Sequence, residues 1–389
     1  MISTKGRDSS QTRVCIADGS VRRNRRRALK SIGLMGAAGL CAPAIVNDAL
    51  SSSGQLHVIC WEGYLPKSFR DQFENTTGIK VRYTSLGSNE ELLSKLQASK
   101  GQGFDLIAPT LNRKGQWQPL GLLQPWNLKR VYNLQNCEQT YIDASKSWFW
   151  DGGQYHLPHI WGTEAVAYRT DYWIASRQVS FGDLWLPEFE GRVTGRPHSM
   201  LAGVARYLAN IGRAPDFKDA YLGPEQAEEI WQITVKFAIE KKSWVKDFWN
   251  DHTAQKLHFT HGGIAIGQTW DGPIIELKKG GVPVNYVAPI EGAFAWLDGL
   301  ALPIGAKNLE QAYEFVNEIY TLDAAVQMAT ASGYNATVRD VASHLDDTAR
   351  RIFEEAYHGD ALEKLWWWPD EPQWFAQIRN KYRDIYLTA

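Results

Sequence analysis

Apolar residues at strand and helix spacing open the globular part of the chain. Leu56-His57-Val58-Ile59-Cys60 is a short apolar run that stops at the turn signal Trp61-Glu62-Gly63-Tyr64-Leu65-Pro66, and it reads as a buried strand. Phe69 and Phe73, four residues apart, give Ser68–Thr76 the apolar face of a helix. Gly78-Ile79-Lys80-Val81-Arg82-Tyr83 alternates, as a strand covered on one face does. Asn89–Ser99 is a second predicted helix. Leu92, Leu93 and Leu96 form its stripe, and Ser88 followed by Glu91 has capping-box spacing. Phe104–Pro109 is a third strand. Strand-helix-strand-helix-strand order predicts a parallel sheet with right-handed crossovers.

A second unit of similar character is expected from Val193, which opens a strand. Ala202–Ile211 is helical and closes at Gly212, and Pro224–Ile239 is a longer helix. Gly263–Gly267 and Val284–Val287 read as strands, and Ala293–Leu302 crosses back. Leu309–Tyr320 carries Ala312, Phe315, Val316 and Ile319 on one helical face. Two α/β units joined by more than one crossing predict an α/β, bilobed protein with a ligand cleft between its lobes.

Charge changes the picture at the N-terminus. Of the 42 basic and 43 acidic residues, nine basic and two acidic lie in residues 1–30, so the rest of the chain is acidic. An acidic body excludes nucleic acid as the main partner, because phosphate contacts need a basic face. Arg25-Arg26-Arg27-Ala28-Leu29-Lys30 precedes a Gly/Ala-rich apolar stretch and Ala42-Pro43-Ala44. That order reads as a signal peptide over residues 1–44, similar to the twin-arginine export motif, with the mature chain starting near Ile45 in the periplasm. Leu40 is too large for lipid attachment at Cys41. Cys60 and Cys137 remain, either as a disulfide or as two buried thiols.

The order and wording of several segments resemble bacterial extracellular solute-binding proteins, specifically the spermidine/putrescine-binding branch of ATP-driven uptake systems. They are Trp61-Glu62-Gly63-Tyr64, Phe73 through Val81, Ser88-Asn89-Glu90, Tyr155–Gly162, Asp183–Gly191, Gly267–Gly272, Glu291–Asp298, Ala306-Lys307-Asn308 and Gly333-Tyr334. The resemblance implies the periplasmic-binding-protein fold. Its lobe 1 would comprise residues 45–161 and 298–335, and its lobe 2 residues 162–297 and the C-terminal helices of 336–389. Hinge crossings are expected near Trp161–Thr163, Leu297–Gly299 and Tyr334–Ala336. It further implies a monomeric receptor with no cofactor and no chemical step of its own, whose partners are a small cationic ligand and the membrane permease of an ABC transporter.

In that branch an aromatic box holds the ligand's methylene chain and acids pair with its ammonium ends. The matching box positions are Trp61, Tyr64, Trp270, Trp296 and Tyr334, with Asp298 as the amine-gripping acid and Asn112 near a contact position after the third strand. The match breaks where two family acids fall on Ser199 and Ala202, and where a third falls on Gly63, beside Glu62. Physical chemistry supports the box independently. An aromatic face holds a cation by ~0.5–2 kcal/mol, and a buried ammonium also needs a carboxylate. Trp270 with Asp271, and Trp296 with Asp298, supply that combination; the second pair shares one face of an extended segment. Core packing plus a turn-forming Asp is the alternative for each.

The resemblance implies a polyamine or related small cationic amine, and the fewer acids point to a ligand with one cationic centre, or to a cation carrying an anionic group, rather than to a long polyamine. A quaternary ammonium compound, an amino-acid derivative and an opine-like amine are the alternatives. Glu164 is a candidate for the missing charge, and Trp366-Trp367-Trp368-Pro369 either closes a cleft wall or caps the second lobe. His258 and His261 lack the company of a metal site. No P-loop, G-x-S-x-G or dinucleotide fingerprint is present. The rival from another class is a secreted glycan-active hydrolase with a Trp-lined cleft, for which no opposed carboxylate pair stands out.

Overall fold

The computed structural model describes residues 54–389, so the export signal read at residues 1–44 lies outside the described residues. The first three strands follow the hydrophobic pattern. β1 (Gln55–Trp61) lies between β2 (Lys80–Leu86) and β3 (Leu106–Ile107), both parallel to it. The crossovers are α1 (Lys67–Thr77) and α2 (Asn89–Ala98). α1 stops at Gly78, whose φ of 73° makes the left-handed C-cap that glycine adopts without strain. At α2, Ser88 Oγ accepts the Glu91 N–H at 3.1 Å, but the Glu91 carboxylate reaches past Ser88 to the Gly87 N–H at 3.1 Å. β3 is shorter than its apolar run: Asp105 donates its N–H to the His57 carbonyl at 2.8 Å, but the His57 N–H goes, at 2.9 Å, to the Asp105 carboxylate. That carboxylate also accepts the backbone N–H groups of Lys307 and Asn308, both at 3.0 Å, and pins the returning chain to the first sheet. Phe69 and Phe73 pack on Phe315 of the helix Leu309–Ile319, with ring centroids 5.7 and 5.2 Å away. The first core thus joins residues 56–160 to residues 300–341, with Trp249 and Trp270 packed into it.

The second unit departs from expectation. In place of another parallel sheet there is an eight-stranded mixed sheet built on one strand, Leu157–Arg169. This central strand is buried from Leu157 to Tyr168. A strand covered on both faces shows no polar alternation, so periodicity does not reveal it. The strands Ile266–Trp270, Val284–Val287, Phe294–Leu300 and Asn335–Ala336 all pair antiparallel to it. Val193–Gly195 extends the sheet parallel to Ile266–Trp270. The strand expected at Gly263–Gly267 therefore begins later, because Gly263 is still in a turn with φ of 66°. The helix expected at Ala202 starts at Pro197, a residue pre-set for the first helical turn.

Register brings the three expected crossings together. Trp161 pairs with Leu297 and with Asn335, and Ile160 pairs with Asp298 and with Ala336. Val338 and Val341 pack in the first core. Cys60 and Cys137 are separate buried thiols. Of the three consecutive indoles, Trp366 is buried against Phe217 and Phe294, while Trp367 is 42% exposed. Among the described residues no helix is long and apolar enough to cross a membrane.

Candidate functional site

β1 carries Trp61 at its carboxyl end, where the indole N–H donates to the Ala108 carbonyl at 2.9 Å. Gly63 turns the chain with φ of 88°, tight against His252, and delivers Tyr64. From the other side, Phe294–Leu300 carries Trp296 and Asp298. Tyr334 precedes the Asn335–Ala336 strand. The rings converge. Tyr64 lies 5.9 Å from Trp296 and 5.0 Å from Tyr334, and Trp61 lies 6.0 Å edge-on to Trp270.

Two glycines make room for these rings. A Cβ at Gly162 would sit 2.3 Å from the Trp296 indole, and one at Gly272 would sit 2.4 Å from the Tyr334 ring. Gly162→Ala should displace the indole, cost about 1–3 kcal/mol by overpacking, and weaken ligand binding. Chemical denaturation and ligand titration check both effects. An unchanged unfolding midpoint would show that the ring moves aside freely.

Asp298 sits where the register of its strand shifts, a bulge that re-aims a side chain. Its Oδ2 accepts the Tyr64 hydroxyl at 2.5 Å, while Oδ1 is buried with no hydrogen-bond partner among the described residues. Burial pushes the carboxyl pKa up to about 7, against the pull of Thr110 and Tyr64. One cavity is lined by Trp61, Tyr64, Trp270, Trp296, Tyr334 and Asp298, and Asn112 lies on its wall.

The other two expected residues are elsewhere. Glu62 turns out of the cavity toward a neighbouring crevice, where it accepts the Thr253 hydroxyl at 2.6 Å and the Thr253 N–H at 3.2 Å. Asp271 is fully buried beside the cavity. It accepts the Thr163 N–H and the Tyr357 hydroxyl, each at 3.0 Å, and the Asn335 amide at 3.2 Å. Its bonds tie the central strand to the Asn335 crossing, a structural use that its place beside Trp270 does not reveal. Burial raises its pKa to about 7.

Sequence reasoning missed the charged wall. Glu371 accepts Arg113 at 2.7 Å and Arg379 at 2.8 Å, and Glu90 lies 3.4 and 3.1 Å from the same two guanidinium groups. Arg113 and Glu90 belong to the first sheet's side, while Arg379 lies on the terminal helix packed in the second core. The two arginines outweigh the partial desolvation of the half-exposed Glu90 and hold its carboxyl down at about 2. Arg196 also lines the cavity, with its guanidinium 5.4 Å over the Trp270 ring and donating to the Gly87 carbonyl at 3.0 Å. Beside it are His198, which burial keeps neutral, and Ser199 and Ala202, the two positions where family acids are missing. Glu164 lines the cavity as well; burial raises its pKa, and it accepts the Gln268 amide at 2.8 Å. Trp368 stacks on Phe294 at 4.5 Å and forms part of the wall, so the indole run both packs a core and borders the cavity. The one signal available for the charged wall was the Gly195-Arg196-Pro197 junction between strand and helix. No group of three or more metal-ligating side chains gathers among the described residues, and His258 instead bonds Thr194 at 2.8 Å.

A mixed α/β fold with an aromatic, charged cavity between two cores is the architecture of bilobed binding proteins. The chain belongs to the bacterial extracellular solute-binding protein family, which it matches over residues 68–354. It is therefore an exported protein. It is 28% identical over 300 residues to the spermidine/putrescine-binding periplasmic protein of Escherichia coli (strain K12), covering 77% of this chain and 82% of that one. It is 29% identical over 299 residues to the spermidine/putrescine-binding periplasmic protein 1 of Haemophilus influenzae, covering 75% and 76%. Among solved structures, the spermidine/putrescine ABC transporter substrate-binding protein PotD from Streptococcus pneumoniae superposes with a TM-score of 0.67 at 21% identity, covering 86% of this chain and 98% of that one.

Proposed function

We propose that this chain is the periplasmic receptor of an ABC uptake transporter and captures a polyamine-like or related small organic amine. One observation carries the reading: five aromatic rings line one cavity together with a buried carboxylate that has one oxygen unpartnered. A neutral donor could bond that oxygen but would leave the buried charge uncompensated, and an anion would be repelled by it. An ammonium satisfies it while the ring faces take up the positive field. The relatives named for spermidine and putrescine support the same solute class.

Lobe 1 is the first core and lobe 2 the second. The hinge is the paired passage at Trp161–Thr163, Leu297–Gly299 and Tyr334–Ala336, with the last return to lobe 2 beyond Val341. Closure buries the box, excludes water and strengthens the Asp298 contact. Export uses the twin-arginine motif at Arg25–Arg26, and the receptor works as a monomer. It performs no chemical step; ATP hydrolysis belongs to partner subunits of the permease.

The test is a titration of tryptophan fluorescence with putrescine, spermidine and simple amines, coupled to mass spectrometry of whatever co-purifies. A saturable response with the amine recovered unchanged is expected. A silent titration across every amine, or conversion of the solute to a product, would overturn the reading.

A further inference from the structure

The charges around the cavity do not form a uniformly acidic wall. Glu90, Arg113, Glu371 and Arg379 pair among themselves, two carboxylates with two guanidinium groups. That leaves Asp298, Arg196 and Glu164 facing the cavity. Asp298 and Arg196 stand at opposite ends of a chain of rings. Arg196 lies over Trp270, Trp270 is edge-on to Trp61, Trp61 lies 6.5 Å from Tyr64, and Tyr64 bonds Asp298. Among the described residues Arg196 has no carboxylate within ion-pair distance; its hydrogen bond goes to the neutral Gly87 carbonyl. Glu90 and, more weakly, Glu164 influence it from a distance, but Glu90 is paired with Arg113 and Arg379 and Glu164 is bonded to Gln268.

The surroundings of Arg196 also favour negative charge. It is the residue before the Pro197–Asn210 helix, whose first N–H groups have no partner within the helix and whose dipole is positive at this end. The next cavity residues on that helix, His198, Ser199 and Ala202, bring no carboxylate. A second ammonium placed here would meet a guanidinium and a positive helix end. A carboxylate would meet both favourably, with the guanidinium fork matching its two oxygens.

Resting on the amine reading above, we infer that the solute is a zwitterion: its ammonium meets Asp298 and its carboxylate meets Arg196 at the start of this helix. The aromatic box holds the carbon chain between them. The missing family acids are then replaced by a cationic subsite of opposite preference, and Arg196 is the residue that sets selectivity against diamines.

The experiment uses the full mature receptor and three chain-matched probe sets. These are the ω-amino acids γ-aminobutyrate, δ-aminovalerate and ε-aminocaproate, the diamines putrescine, cadaverine and hexamethylenediamine, and the corresponding monoamines. Affinities come from calorimetry. At least one amino acid should bind about tenfold or more tighter than its matched diamine. Arg196→Gln should remove that advantage while leaving monoamine affinity within about threefold, and Arg196→Lys should restore part of it as a point charge. Diamines binding as tightly as amino acids, or Arg196→Gln weakening monoamines and amino acids equally, would overturn the zwitterion and leave the amine receptor standing. Absence of binding in all three sets would overturn both. Circular dichroism of each variant separates loss of the subsite from loss of the fold.

Discussion

Asp298→Asn should weaken binding of an amine by roughly a hundredfold, because removing one partner of a buried ion pair costs about 3 kcal/mol. Asp298 is 2% exposed, shares one oxygen with Tyr64 and leaves the other unpartnered. An arriving ammonium must find the carboxylate ionised, and burial has lifted that pKa to about 7. Wild-type affinity should therefore fall about tenfold per unit as pH drops below about 7, while the Asn variant stays flat. Ligand-free stability runs the other way. The native pKa lies above the ordinary value of 3.8, so the native state holds the proton longer than the unfolded chain does. Stability from this group is full below that ordinary value and is lost as pH rises through about 7. Asp271 contributes with the same sign, so the difference in Tm between wild type and Asp298→Asn isolates Asp298. Calorimetric titration across this range is the measurement; a pH-independent wild-type affinity would remove Asp298 from the site.

The second large effect is expected at Glu371. Its carboxylate is 3% exposed and is shared by Arg113 and Arg379, which are themselves buried. Glu371→Gln leaves two guanidinium groups facing each other with only the half-exposed Glu90 between them. Breaking such a network costs about 3 kcal/mol or more, since the stranded charges stay out of water. The loss divides in a way that can be measured. The Arg379 bond lies within the C-terminal segment, so its share appears in the denaturation midpoint. The Arg113 bond joins the first sheet's side to the C-terminal segment, so its share appears as weaker ligand binding and a larger radius of gyration in scattering. Because the network is buried, added salt should not reproduce the effect. A change below about 0.5 kcal/mol would mean that water already reaches the pair.

The legible parts of the sequence were those where one face is wet. β1 through β3 and their crossovers could be read because Val81 points inward while Lys80 and Arg82 point outward. The central strand could not, since residues Leu157 to Tyr168 are all covered and their pattern carries no period. The aromatic half of the cavity was legible through Trp61, Tyr64, Trp270, Trp296, Tyr334 and Asp298. Two acids adjacent to those aromatics went astray for a local reason. Glu62 is diverted by the Thr253 hydroxyl, and Asp271 is consumed by the Thr163 N–H and the Tyr357 hydroxyl. The arginine wall was not legible. Arg113, Arg196 and Arg379 are distant in sequence, and only the folded chain shows which of them find carboxylates.

Tyr64 packs in the first core and bonds Asp298, whereas Arg196 stands between the Val193–Gly195 strand and the Pro197–Asn210 helix, which pack in the second. On the lobe division and the zwitterion proposed above, the two groups belong to different lobes, and a solute with only one head engages only one of them. A simple alkylamine should sit on its aspartate without recruiting the opposite lobe. Such a compound would be an antagonist, filling the receptor while withholding the shape that the translocation machinery reads.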